Sequence, residues 1–258
     1  MFFGGNLRAW IVLGLALGQM ATVLWPLTGL GVSIQDRSDS LPTPLVPIGW
    51  TFSIWGLIYL GASAYAVWQF LPRNRNHALN HRVGWLIAYM YLVNTSWQVW
   101  VSVWGFGWID FLALGSEAAV GTVVLFRMNQ LPRLGWGAVL TAVWSVALLT
   151  GWTTAASFVA STVSASAMGF EWATNVTIGK WILSTAIGFS VILTLAHRYW
   201  VYAAAITWAS WGVYNNAQIK NLASIEQISS YAVMIIGAST ILVLLWRGQS
   251  RLINRSSD

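Results

Sequence analysis

Cysteine is missing altogether from the 258 residues. That absence excludes disulfides, thiolate metal sites and cysteine nucleophiles, and carries no information on redox compartment. Charge is almost as scarce: Asp, Glu, Lys and Arg make up 8% of the chain, against 57% apolar residues. Soluble domains carry about 25% charged residues. A chain this poor in charge cannot cover a water-facing surface, so its main solvent must be lipid. Histidine is confined to His77, His81 and His197, all expected in or beside loops at one membrane face, which excludes a deep histidine-ligated metal or haem. Lys180 and Lys220 both fall at expected span ends, leaving no mid-membrane lysine for a retinal Schiff base. Walker loops, dinucleotide glycine motifs and serine elbows are missing too. No metal site, no required cofactor and no enzymatic activity are therefore expected.

What the chain has is long apolar runs. Candidate spans cover Ala9–Leu30, Pro47–Leu71, Val83–Trp104, Ile109–Phe126, Leu134–Val163, Ile178–Ala196, Trp200–Tyr214 and Ile228–Trp246. Most reach the ~17–25 residues that a spanning helix needs. The fifth is long and is expected to tilt or fray after Gly151. The seventh is short and would lengthen through Asn215 and Asn216 if their amides face protein. The first run is too long for a signal-peptide core and lacks a clean small-residue cleavage site, so it reads as an uncleaved helix. The fold expected is an all-α, polytopic membrane bundle of about eight transmembrane helices. Eight spans and their connections leave no room for a sizeable soluble domain.

Basic residues support that count. With the N-terminus cytoplasmic, ten of the thirteen Lys and Arg lie in inner segments: Arg8, Arg73, Arg75, Arg82, Arg127, Arg133, Arg198, Arg247, Arg251 and Arg255. Arg37, Lys180 and Lys220 fall outside. Cytoplasmic loops carry the excess of Lys and Arg, so both termini are placed in the cytoplasm. The same dispersal argues against nucleic acid as a partner, since no single basic face forms. The longest outer connection, Gly31–Val46, carries Asp36, Arg37 and Asp39 and reads either as a solvated linker or as a cover over a pocket mouth.

Nineteen tryptophans stand out. Trp10, Trp25, Trp68, Trp85, Trp108, Trp136, Trp172, Trp181, Trp200 and Trp246 lie near span ends, where interfacial belts hold the ring in lipid and the N–H in water. The interior ones ask for another account. Trp50 and Trp55 open the second run; Trp97, Trp100 and Trp104 are spaced i, i+3, i+7 on one face of the third; Trp144 and Trp152 are eight apart on the fifth. Indoles on facing helices suit a flat, apolar, π-rich ligand; ordinary bundle packing is the competing account.

Polar groups at membrane depth form the second signal. Asn94 lies mid-helix, and its amide needs a partner in the bundle. Asp110 and Glu117 share a face of the fourth run; Asp110 is expected at a hydrated boundary. Glu117 lies deeper, where a carboxylate costs ~2.5–3.5 kcal/mol, so it must face a cavity, pair with a base or be protonated. The small residues Thr153, Thr154, Ala155, Ala156, Ser157 and Ala160 follow Trp152 and allow close helix approach or leave room for a ring.

These segments resemble the tryptophan-rich sensory proteins, also called translocator proteins. Pro47-Ile-Gly-Trp50-Thr-Phe52-Ser-Ile-Trp55-Gly-Leu-Ile-Tyr59 is similar to that family's second helix, and Asn94-Thr-Ser-Trp97 to the Asn-x-x-Trp of its third. Ile109-Asp110 resembles the entry to its fourth helix, and Trp152-Thr-Thr-Ala-Ala156 the Trp-x-x-x-Ala of its fifth. The matches run in order over roughly residues 7–165. The sequence departs from the pattern after Trp97, where Gln98, Val99 and Trp100 follow, and at Ala160, where an Asn is usual. The resemblance implies a five-helix core over residues 1–165, with residues 166–258 as an additional three-helix membrane segment.

It also implies an intramembrane aromatic pocket closed by the first loop. Trp50, Phe52, Trp55, Tyr59, Asn94, Trp97 and Trp152 would line it, with Ala156 as a small gap. Its ligand would be a porphyrin, haem-like or other flat hydrophobic molecule, stacked and not axially ligated. A membrane receptor or sensor, of which a homodimer is one form, is the function so implied; the absence of targeting features suggests a bacterial plasma (inner) membrane. The alternative is a secondary transporter of a small or hydrophobic solute, with Glu117 as coupling group and Asp110 beside it. Degradation of the ligand would have only Trp and Tyr redox chemistry to draw on.

Overall fold

The computed structural model describes residues 3–253, with side chains from Asn6 to Trp246. The side chains of Arg247, Arg251 and Arg255, which enter the charge argument, lie outside the described residues. Among the described residues, eleven α-helices follow in order: α1 (Phe3–Leu24), α2 (Ile34–Asp39), α3 (Ile54–Phe70), α4 (Pro72–Arg75), α5 (Ala78–Trp104), α6 (Trp108–Asn129), α7 (Trp136–Ala138), α8 (Trp144–Ala167), α9 (Val176–His197), α10 (Trp200–Ile219) and α11 (Ala223–Ile253). Eight of these are long: α5, α6, α9, α10 and α11 each contain a whole apolar run, while α1, α3 and α8 each cover part of one. Among the described residues, five stretches are long and apolar enough to cross a membrane: Asn6–Thr28, Trp108–Asn129, Trp136–Ala167, Val176–His197 and Ala223–Trp246. The chain is therefore an all-helical integral membrane protein.

Where the elements differ from the sequence expectation, the reasons are local. The fifth run does not fray after Gly151; α8 continues unbroken to Ala167. Its irregularity lies earlier, in a π turn at Val139–Val143 that joins α7 to α8. The seventh run extends to Ile219. Asn216 Nδ2 donates to the Val46 carbonyl at 2.7 Å, whereas Asn215 turns back to its own helix at Trp211.

Packing joins the helices across a main core and a smaller apolar cluster of Leu45, Leu183, Val213, Ala217 and Ile225. α1 lies against α3 and α5, α5 against α6, α6 against α8, α8 against α10, and α10 against α11. Gly151 marks a close approach of α8 to α10: a Cβ there would fall on the Tyr202 carbonyl. Tyr65, Tyr91 and Tyr202 are among the largest fully buried side chains.

One end of the bundle is basic. Arg8 is buried there and donates to the Arg75 carbonyl at 2.8 Å, while Arg75 donates to Asn6 and Arg82 to Gln130. His197, expected beside a loop, is fully buried at the end of α9, its ring 4.5 Å from Tyr202. At the opposite end Arg37 of α2 donates to the carbonyls of Ser102 and Val103, pinning the Gly31–Val46 connection onto the end of α5. Of the ten expected belt tryptophans, Trp10, Trp85, Trp108, Trp136, Trp172, Trp181 and Trp246 are exposed, whereas Trp25, Trp68 and Trp200 are half-buried, Trp68 against Tyr65 and His77 and Trp200 against Trp144.

Candidate functional site

The aromatic site is built around Trp55. It enters on the first turn of α3, and its ring centroid lies 5.7 Å from Trp97 of α5 and 5.9 Å from Trp152 of α8, the latter edge-on. Phe52, in the 3₁₀ turn Gly49–Ser53 that precedes α3, meets Trp152 edge-on at 6.1 Å. Tyr59, one turn along, stacks on Trp55 at 5.5 Å. Edge-on and offset contacts of this kind are the favoured aromatic geometries. All three indoles are buried, and none of their N–H groups has a hydrogen-bond partner.

Phe52, Trp55, Trp97, Trp152 and Ala156 line one apolar cavity of about 60 Å³. Ala155, Ala156 and Ala160 of α8 open its floor, and Ile34 and Ser38 of α2 form part of its cover. The first connection thus lies over the cavity and is not a free linker. Ile34, Phe52 and Trp55 also border a second chamber of about 190 Å³, which Tyr59, Thr22, Gln98 and Ser102 share.

One expected pocket residue, Trp50, and two of the other interior tryptophans stand elsewhere. Trp50 lies outside the cavity, 42% exposed, and packs edge-on against Trp208 and Trp211 of α10. Trp104 is 65% exposed, so of the i, i+3, i+7 stripe only Trp97 reaches the cavity. Trp144 packs against Trp200, away from Trp152.

Asn94 sits beside the cavity in a buried polar relay. Thr22 Oγ1 of α1 donates to Gln98 Oε1 at 2.8 Å, Gln98 Nε2 donates to Asn94 Oδ1 at 2.8 Å, and Asn94 Nδ2 donates to Glu117 Oε2 at 3.2 Å. The Gln98 and Asn94 amides both donate toward Glu117, which is fully buried and whose Oε1 has no partner, while the Thr22 hydroxyl also has the Gln19 carbonyl in reach at 2.7 Å. Asp110 belongs to neither the cavity nor this relay. It is fully buried and not hydrated: its carboxyl accepts from the Gly107 N–H at 2.7 Å, capping α6, and from Ser164 Oγ of α8 at 2.8 and 2.9 Å.

The contribution of α10 was not legible in the sequence. Ala209 and Val213 line the cavity. Trp208 Nε1 donates to the Thr51 carbonyl at 2.9 Å, and the Gly212 carbonyl accepts from the Ile48 N–H at 3.0 Å. These bonds hold the segment leading into Phe52 and Trp55. The small residues Ala209, Ser210 and Gly212 were the available signal.

A family model described as TSPO-like protein matches residues 9–246. The chain belongs to the TSPO-like protein family. The resemblance drawn from the Trp50–Tyr59, Asn94–Trp97 and Trp152–Ala156 segments is borne out. The TSPO-like match runs from α1 through α11 and so includes α9 and α10. No curated protein and no solved structure matches the chain.

Proposed function

We propose that this TSPO-like chain is a membrane receptor or sensor that binds a flat, apolar ring ligand between Trp55, Trp97 and Trp152. The observation that carries the reading is the meeting of three buried indoles, from three helices, around a gap of alanines. Their unpartnered N–H groups add a donor set for an acceptor on the ligand. At rest the aromatic cavity and its neighbour are small beside the ~300–1,000 Å³ of ordinary ligand sites. A molecule of porphyrin size enters only when α2 lifts and Phe52 swings, merging the two chambers; a one- or two-ring compound needs less. Titration of the purified protein with protoporphyrin, followed by tryptophan fluorescence, tests this. Saturable quenching that weakens in Trp97→Ala and Trp152→Ala is expected; quenching unchanged by both variants removes the site.

In this reading all eight long helices span the bilayer. The polar interior residues of α5, among them Asn94, Gln98 and Ser102, are buried within the bundle, so lipid meets the apolar outer faces. The basic end then faces the cytoplasm.

A second reading, secondary transport, rests on Glu117. Intramembrane carboxyl groups mark ion and proton pathways, and its free Oε1 is poised for an exchangeable partner. Proton-linked uptake into proteoliposomes that Glu117→Gln abolishes supports transport; uptake unaltered in that variant ends it.

A further inference from the structure

A second apolar opening, of about 550 Å³, lies between α6, α8 and α9. It is separate from the aromatic cavity, sharing none of its lining residues. Its side toward the bilayer is open, with Trp181 71% and Phe189 46% exposed on α9. Gly115 and Ala119 of α6 leave the space that bulkier residues would fill. The hydroxyls of Thr122, Thr154 and Thr185 each donate to a carbonyl of their own helix, so none is left demanding an acceptor. Such a groove takes hydrocarbon. From Phe111 to Thr122 it runs ~17 Å at ~1.5 Å per residue, close to half of the ~30 Å hydrocarbon thickness. That is the depth of one leaflet.

Beyond the groove, at the start of α9, lies polar ground. On α9, Ile178, Trp181, Ile182, Thr185 and Phe189 form one stripe at helical spacing. Ile178, at its upper end, also lines an open depression of about 680 Å³ with Ser166, Glu171, Thr174 and Asn175. This depression sits where the helices emerge from the apolar layer. No Lys or Arg is among its lining residues, and its one ionisable group is the Glu171 carboxyl. An amine-bearing head is favoured there over an anionic one.

We infer that groove and depression together hold one phospholipid with an ethanolamine head. One acyl chain lies along Gly115, Ala119 and Phe189, and the ammonium group faces Glu171. The site is independent of any ligand at Trp55.

Native mass spectrometry of the full-length protein, released from detergent after exposure to equal amounts of phosphatidylethanolamine and phosphatidylglycerol, tests the inference. One phosphatidylethanolamine should be retained per chain. A Cβ at Gly115 meets nothing within 4 Å, so Gly115→Leu projects into the groove without pressing on the bundle and should abolish retention. Glu171→Gln should keep a bound lipid while losing the preference for ethanolamine. Trp181→Ala, on the exposed face, should weaken retention and serves if Gly115→Leu does not fold. The inference is overturned if no lipid is retained stoichiometrically, or if neither groove variant alters retention. It is equally overturned if Glu171→Gln leaves the preference intact, or if Gly115→Leu instead splits a dimer, which would make the groove a subunit interface.

Discussion

Asn94 donates to one oxygen of the Glu117 carboxyl at 3.2 Å, and the other oxygen, equally buried, has no partner. A single amide from α5 thus carries the polar demand of the deepest acidic group on α6. Removing one member of a buried pair costs ~1–3 kcal/mol, whereas replacing both with apolar groups is close to neutral. Asn94→Leu should therefore destabilise the protein by about that amount. Asn94→Leu/Glu117→Leu should recover part of the loss. Thermal unfolding in a constant detergent checks both; a double variant less stable than Asn94→Leu would show that the pair is held for its own sake.

The Trp55–Trp97 contact should behave as an aromatic pair with coupling of ~0.5–1.5 kcal/mol beyond area burial. A double-mutant cycle with Trp55→Leu and Trp97→Leu measures it. Additive losses would mean that the two rings share a wall without touching productively.

Two glycines should respond in opposite directions. At Gly151 an added methyl meets the Tyr202 backbone carbonyl, which cannot move aside. Gly151→Ala should cost ~1–3 kcal/mol by overpacking. At Gly115 the methyl meets nothing within 4 Å, and Gly115→Ala should be neutral or gain up to ~1 kcal/mol from helix propensity. Melting temperatures of the two variants, compared with the parent, decide.

Asp110 should prove structural. Asp110→Ala loses the cap on α6 and the tie to Ser164, at ~0.5–2 kcal/mol for the cap alone. Asp110→Asn keeps an acceptor for Gly107 and should retain most of the stability. A loss of ligand quenching in Asp110→Asn at unchanged melting temperature would contradict this and return Asp110 to the site.

Helix content and order were readable from hydropathy, because apolar runs of this length have no other stable arrangement in lipid. Every long helix overlaps one of the expected runs, although α1, α3 and α8 cover theirs only in part. The end of α10 was readable only as a condition, that the Asn215 and Asn216 amides face protein; Asn216 meets it by reaching the Val46 carbonyl 170 residues away. The same distance hid the fate of Trp50, whose partners Trp208 and Trp211 lie on α10. Family spacing led to Phe52, Trp55, Trp97, Trp152 and Ala156, which do meet at one cavity. Helical spacing alone was a poorer guide. Trp97, Trp100 and Trp104 share a face, yet the cavity is shallow along α5, and only Trp97 reaches it. Asp110 was misjudged because sequence position near a helix start resembles a hydrated boundary; the folded connection and Ser164 cover it.

Whether ligand occupies the space between Trp55, Trp97 and Trp152 can be read directly by photo-crosslinking. A flat aromatic probe bearing a diazirine, activated on the full-length protein in nanodiscs, should leave adducts within residues 52–59, 94–98 and 152–160. Excess protoporphyrin should suppress them. Adducts confined to Phe111, Trp181 and Phe189, or spread over the lipid-facing tryptophans and indifferent to the competitor, would contradict the account.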